Sequence, residues 1–498
     1  MTSKPHSLTE KVLKGSGTVL IFTLLGSPIA YCIRLLYSNT LSIEMFGLFY
    51  AALAFFALIS TYLDFGLGLS CSYFIPKFIK KKDFESVSRV FMYTQIVEVA
   101  VSIIFSVGLF LNAKWLAMYY FKSELSINLI SIFCLYLVAN SVFTVINALF
   151  VGLQDEKFYS SMHMLRLVFI LMFSVFFWLY DVKDVVYYAA TWMMSTFLVT
   201  ILYYIAVIRN YPFVFKKFSW NSTLLRTMIT YGVPTLITTS LYTFISSTDT
   251  VFLTYFHGLK DVGIYNVVFP LATLSGLFLT PINSLILPLI SHLMEGEEEK
   301  IAHLVQNILR LVPFIGLYFG LFIALFATSI VGTLFGNKWI GLVEIPLIIF
   351  SFGYILSPLS NFLVLILSGM GKTAQRLRLS IYVAVLNITL CFVFIPFYGV
   401  VGAVIANTLV YIVSVYLFTR IISNSFQLTY SYGFYVKLGL FASGIFLLVK
   451  IFHIQPLGFI QIGITGLLYT MIFALFAFTQ EVLDAQTMKL LRSGIMRK

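Results

Sequence analysis

Charge is what this sequence has least of. Only 10% of its 498 residues are Asp, Glu, Lys or Arg, against about 25% in soluble domains. Histidine and cysteine are scarce too, with six and four copies scattered along the chain. There is no His-Glu-x-x-His run, no Cys-x-x-Cys pair and no clustered ligand set, so no metal site is expected. A hydrolase or glycosyltransferase needs carboxylates or histidines on a sizeable aqueous loop, and no such loop exists, so the chain reads as no enzyme. The string GMGKT at Gly369 lacks the earlier glycine of a phosphate loop, because Ile366 occupies that place, and no strand precedes it. Cys32, Cys71, Cys134 and Cys391 all lie in apolar runs and read as small core residues, not disulfide partners. The first apolar run is too long for a cleaved leader and lacks its small-residue site, so it is expected to stay as the first helix.

What the chain has is hydrophobe: 60% of residues, with 51 Phe and 30 Tyr. Runs of about 18 apolar residues or more recur throughout, which is the signature of spanning helices and not of a barrel. The pattern predicts an all-α polytopic membrane protein with about fourteen spans, at 16–37, 46–74, 90–112, 125–150, 158–180, 184–208, 226–256, 262–292, 304–333, 341–367, 374–396, 400–421, 434–452 and 457–479. With both termini cytoplasmic, 25 of the 32 lysines and arginines fall on inner segments and six on outer ones, Arg34 lying inside a span. That asymmetry accounts for the net charge of +12 without nucleic acid. It points to a multi-pass protein of the cytoplasmic membrane whose strongest inner anchor is IPKFIKKK, ending at Lys82. Two inner stretches read as interfacial: MEGEEEKIAHLVQN from Met294, and the amphipathic tail bearing Val482, Leu483, Leu490, Leu491 and Ile495.

The chain repeats itself at one offset. FGLFYAALAF pairs with VGIYNVVFPL (Gly47 with Gly263), LFVGLQDEK with LILSGMGKT (Gly152 with Gly369), and VVYYAA with VGAVIA (Ala190 with Ala406). A six-helix offset gives two lobes of like orientation related by an axis along the membrane normal, with a site near the midplane between them. The expected organisation is an N-terminal segment at 1–15, lobes at 16–220 and 221–425, two extra helices at 426–480, and a cytoplasmic amphipathic tail at 481–498.

Five ionisable residues fall inside spans: Arg34, Asp64, Glu98, Arg166 and Asp249. A charge at the bilayer centre costs on the order of 2.5–3.5 kcal/mol on insertion scales, so each needs a reason. Arg34 reads either as a cavity contact for an anionic ligand or as half of an ion pair between lobes. For Asp64 and Glu98 the alternatives are coupling to a cation or proton, or pairing with Arg34, Arg89 or Arg166. Under the repeat Arg34 aligns near Thr250, so Asp249 offers the opposite charge from the second lobe. Glycines and prolines interrupt several spans, at Gly26 and Pro28, Gly66 and Gly68, Gly232 and Pro234, Pro270, Pro281, Pro288 and Pro358. Broken helices of this kind line transporter cavities.

Taken in order, RLLYSNTLSIEMFGLFY, DFGLGLSCSYFIPKFIKKKD, LFVGLQ, YGVPTLITTSLYTFISSTDTVFL, DVGIYNVVFPL, LILSGMGKTAQ and IPFYGVVGAVIANT resemble the polysaccharide flippases of the multidrug/oligosaccharidyl-lipid/polysaccharide exporter superfamily, best over 10–425. The resemblance implies two six-helix lobes forming a V-shaped central cavity that opens alternately inward and outward. The cargo it implies is a polyprenyl- or dolichyl-(pyro)phosphate-linked oligosaccharide, flipped to the outer leaflet for surface polysaccharide or glycoconjugate assembly. Membrane lipids and glycan polymerase or transferase machinery are the implied partners. No cofactor is implied, with Na⁺ or H⁺ as an optional coupling ion. Fourteen helices look like the subset that moves lipid-linked sugars, whereas the superfamily's drug antiporters usually have twelve. Arg34 sits where those flippases carry a cationic first-helix residue, and Arg166 is the second candidate phosphate contact. Asp249 departs from the basic residue of the lipid II flippase's equivalent helix. An inside-negative potential would drive an anionic head group outward with about 2.3 kcal/mol per charge per 100 mV. The competing readings are a cation-coupled drug or metabolite antiporter, in which Asp64, Glu98 or Asp249 dominates, and a membrane-embedded glycan polymerase or ligase, which the short outer loops disfavour.

Overall fold

The computed structural model describes residues 8–215, 219–274, 276, 279, 286, 289–291, 293, 294, 298–426, 428, 431–480 and 482. All regular structure among them is helical, and no strand occurs among the described residues. In lipid a helix alone satisfies each backbone donor and acceptor within one segment. By its contacts the chain divides into two compact units, Met1–Gly263 and Ile264–Lys498.

The first unit holds α1 (Leu8–Thr40), α2 (Ile43–Ser60), α3 (Leu67–Lys80), α4 (Phe84–Leu111), α5 (Ala113–Leu116), α6 (Ser126–Leu153), α7 (Glu156–Leu179), α8 (Val185–Asn210), α9 (Ser222–Phe256) and the first residues of α10 (Leu259–Ala272). Five of these start on a side-chain cap. Ser42, Asp83, Asp155, Asp184 and Asn221 accept the amides of Met45, Ser86, Phe158, Val186 and Leu224, satisfying donors that the first helical turn leaves over. α6 is the central helix: 61% of its most apolar stretch is buried, against 17% in α7. Around it α3, α4, α7 and α8 bury Cys71, Phe91, Phe143, Leu149, Met162 and Val199. The outward faces stay apolar because lipid replaces water there. Trp115, Tyr119, Trp178 and Tyr180 are exposed at the far ends of α4, α5 and α7, opposite the basic end marked by Lys77, Lys80, Lys81 and Lys82, as an interfacial aromatic belt requires.

The second unit contains Glu298–Leu325, Ala327–Phe335, Glu344–Gly353, Leu356–Gly369, Thr373–Ser423, Tyr432–Ile451 and Gly458–Thr479. The last two helices pack Phe441, Tyr469 and Phe473 onto Phe314, Tyr318 and Phe322, and the Tyr469 hydroxyl donates to the Tyr318 carbonyl at 2.7 Å.

Eleven helices among the described residues are long and apolar enough to span a membrane. One of them, Thr373–Ser423, covers the two expected spans 374–396 and 400–421, turning at Gly399, whose φ of 53° and ψ of −127° suit only glycine. The Asn387 amide donates to Asn407 across that turn at 3.1 Å, so the two halves lie side by side. The span expected at 226–256 is a helix, Ser222–Phe256, but is not among the eleven. The one expected at 262–292 is helical to Ala272, and most of its remainder, with Pro281 and Pro288, lies outside the described residues. Residues 295–297 and the tail beyond Val482 also lie outside them. Three expected spans are interrupted in ways periodicity does not show: 46–74 unwinds over 61–66, 304–333 breaks at Phe326, and 341–367 breaks at Tyr354 and Ile355. Conversely, helical structure continues through Pro28, Pro234 and Pro270. All four cysteines are free thiols.

Candidate functional site

The break between α2 and α3 gives Asp64 its reason. Phe65 and Gly66 take left-handed φ values of 49° and 77°, which frees the amides at the start of α3. In lipid those donors would be costly. The Asp64 carboxylate accepts two of them, from Gly66 at 2.8 Å and from Gly68 at 3.0 Å. Gly68 must lack a side chain for this, since a Cβ there would stand 2.9 Å from Asp64 Oδ2. The DFGLG string is therefore one device: an acceptor, a left-handed turn and a clearance. Replacing Asp64 with alanine is expected to destabilise the protein by about 1–3 kcal/mol, read as a lower melting temperature in detergent, with asparagine recovering part of the loss.

A polar stripe lies inside the first unit. Asn140, Thr144 and Asn147 recur at i, i+4 and i+7 on α6, which places them on one face. The Asn140 amide nitrogen donates to Ser60 Oγ at 3.1 Å, and its oxygen accepts from Arg166 Nη1 at 3.3 Å. Thr144 donates its hydroxyl to the buried Glu98 carboxylate. His163 Nε2 is 3.1 Å from Asn147 Oδ1. Arg166 lays its guanidinium over Phe143, 4.3 Å from the ring centroid, and its buried Nε has no partner among the described residues. Asn140, Thr144, Asn147 and Ser60 were not expected at the site, although the i, i+4, i+7 spacing of polar residues in an apolar run could have singled out three of them.

Arg34 stands on α1 with its guanidinium 4.4 Å from the Tyr50 ring centroid, half-buried. α1 and α7 run as neighbours. The Tyr37 hydroxyl bonds Ser174 at 2.9 Å, and Gly26 faces Leu167. Arg34 is therefore level with the region just below Ser174 and Arg166 with Gly26, which separates the two arginines along the bundle by about two helical turns. Arg89 goes to Glu85 and Ser219 and Asp64 to backbone amides. Asp249 is buried on α9 beside Thr248 and Thr250.

α9 is fastened to the rest of the first unit at both ends. Toward the basic end, Ser70 Oγ donates to the Met228 carbonyl at 2.7 Å and the Tyr73 and Tyr231 rings stack at 4.1 Å. A Cβ on Gly66 would come within 2.2 Å of the Gly232 oxygen. Toward the far end, Lys122 Nζ donates to the Tyr255 carbonyl at 2.8 Å. There the repeat-related glycines also meet: a Cβ on Gly47 would lie 1.8 Å from the Leu259 oxygen, and one on Gly263 2.6 Å from the Ile43 oxygen. Gly47 and Gly263 thus stand on the two sides of one backbone crossing within the first unit.

The family described as polysaccharide biosynthesis protein matches residues 12–294, more than half of the sequence. The chain belongs to this family. A second family, MatE, matches residues 234–393. An uncharacterized membrane protein of Methanocaldococcus jannaschii is 24% identical over 99% of this chain and all of its own length. Among solved structures, the lipid II flippase MurJ in an inward closed conformation superposes with a TM-score of 0.71 at 13% identity, covering 93% of this chain and 99% of that one. An inward-facing MATE multidrug resistance transporter of the MOP superfamily gives 0.64 at 18% identity, covering 80% and 94%. A MOP superfamily transporter from Pyrococcus furiosus, described by the reversed polarity of its binding pocket, gives 0.57 at 16% identity, covering 83% and 96%. The all-helical fold is that of the MOP superfamily, and this family member is a multi-pass membrane protein.

Proposed function

We propose that this protein is a flippase that carries a polyprenyl- or dolichyl-(pyro)phosphate-linked oligosaccharide from the cytoplasmic to the outer leaflet by alternating access. The observation that carries the reading is Arg34, a half-buried guanidinium held on a spanning helix by an aromatic face. A planar fork at that depth suits two phosphate oxygens, and the lowered dielectric strengthens the bond. Membership of the polysaccharide biosynthesis family supports the sugar-linked cargo. The cycle needs the two fastenings of α9 to release in turn, so that the path opens to one side at a time. Arg166, tied to Asn140, serves as a second contact about two helical turns from Arg34.

Native mass spectrometry of the gently purified protein tests this. The expected result is a bound species whose mass is a polyprenyl or dolichyl phosphate bearing sugars. A protein that carries none, yet exchanges small organic cations for Na⁺ or H⁺ in vesicles, overturns it.

The antiporter reading has its own observation, the buried Glu98 bonded to Thr144, together with the MatE match. It expects Glu98→Gln to abolish ion-dependent transport. In the flippase reading E98Q retains export to within a few-fold, because the membrane potential supplies roughly 4–5 kcal/mol for two charges at about 100 mV. Export rates measured with and without an ion gradient separate the two.

A further inference from the structure

From Ile345 to Gln480 the chain has no aspartate or glutamate, yet it has six lysines and arginines. Four of them, Lys372, Arg376, Arg378 and Arg420, fall on the two free ends of the hairpin that turns at Gly399. Those ends enclose a pocket of about 280 Å³ lined by Lys372, Gln375, Arg378, Leu379, Ile421 and Asn424. Lys372 Nζ donates to Ser425 Oγ, which ties one end of the hairpin to the other across the pocket. Arg376 is turned aside to Ser368 Oγ at 3.0 Å. Arg378 has no hydrogen-bond or ion-pair partner among the described residues, and neither do the side-chain amides of Gln375 and Asn424. The helix that starts at Thr373 has no side-chain cap, so its first amides and its dipole add positive potential at the same place.

We propose that this pocket binds the phosphate head group of an anionic membrane lipid. The polar half of the lining is built for an anion: two cations, two amide donors and no acid. Arg378 offers the fork and Lys372 the point charge. The other half, Leu379 and Ile421, would serve a free phosphate ion poorly. It suits the glycerol and first methylenes of a lipid whose head sits where a span meets the membrane boundary. Leu379 is also packed against the hydrophobic core of the second unit, so lipid bound here would brace the hairpin ends. The site is separate from Arg34 and Arg166, which belong to the first unit.

The test is lipid titration of the purified full-length protein, followed by native mass spectrometry. Phosphatidylglycerol is expected to bind about tenfold more tightly than phosphatidylcholine. The double variant Lys372→Gln/Arg378→Gln should lose that preference, and Lys372→Arg/Arg378→Lys should keep it. Asn424→Asp, which puts an acid into the pocket without removing a cation, should weaken phosphatidylglycerol alone. These positions are largely exposed, so all variants should melt within a few degrees of the parent. An unchanged preference in both the Gln/Gln and the Asp variants overturns the proposal. So does displacement of phosphatidylglycerol by an equal concentration of inorganic phosphate, which would make the ligand the free ion.

Discussion

Arg34→Ala leaves a folded, membrane-inserted protein whose export of lipid-linked glycan falls by roughly 10- to 100-fold. The estimate follows from the bond at stake. A hydrogen bond to a charged group contributes about 1.5–3 kcal/mol, and every 1.4 kcal/mol is tenfold in rate or affinity. The aromatic stacking that the fold loses is smaller. Stacking of a guanidinium on an aromatic ring at a partly exposed site is worth about 0.5–2 kcal/mol, and the Tyr50 ring keeps its contacts with Phe46 and Phe49. Arg34→Lys keeps the charge but loses the fork, so it should recover only part of the export. Surface glycan in cells gives the first readout. Flipping of a fluorescent polyprenyl-phosphate sugar in vesicles gives the second, and should show the parent accelerated by an inside-negative potential. Parent-level flipping by the alanine variant removes the anion site from this helix.

Much of this fold is legible in the sequence because lipid leaves so few options. A long apolar run must be helical, and the lysines fix which ends lie together. The DFGLG string is legible in a weaker sense. An acid and two glycines in the middle of a span announce a break, but not its register. Periodicity over 46–74 is continuous, and the break falls where Phe65, a residue with no turn signature, adopts a left-handed φ. Asp64 reads from sequence either as a coupling carboxylate or as half of an ion pair, and the structure adds a third partner, the backbone amides of Gly66 and Gly68. A string of letters cannot show which donors a broken helix has freed. Arg166 shows the opposite effect: its partner Asn140 lies on another helix, and only packing reveals that the two meet. Prolines mislead in the other direction, because α1 and α9 run through Pro28 and Pro234, the bilayer making an unwound alternative costlier than one lost hydrogen bond.

Gly47→Leu should stop transport while leaving the individual helices intact. Even the first added carbon would stand 1.8 Å from the Leu259 oxygen and 2.9 Å from the Gly263 nitrogen. Both are backbone atoms, so neither can rotate away. α2 and α10 must therefore part at the far end of the bundle, by more than an ångström for alanine and further for leucine. The repeat placed a glycine on each side of this crossing, and Gly263→Leu should behave in the same way. If the crossing is one of the two fastenings that alternate during transport, forcing it open holds the protein open at that end. Leu48, only 1% exposed, reports the change. In a background without other reactive thiols, Leu48→Cys should react slowly with a membrane-impermeant maleimide, and at least several-fold faster once Gly47→Leu is added. Gly108→Ala is the control: no atom lies within 4 Å of its added carbon, so replacing a helical glycine there should be neutral or stabilising by about 0.5–1 kcal/mol. Full transport by Gly47→Leu, with no change in the labelling of Leu48→Cys, would mean that the glycine crossing serves packing alone and that the gate lies elsewhere.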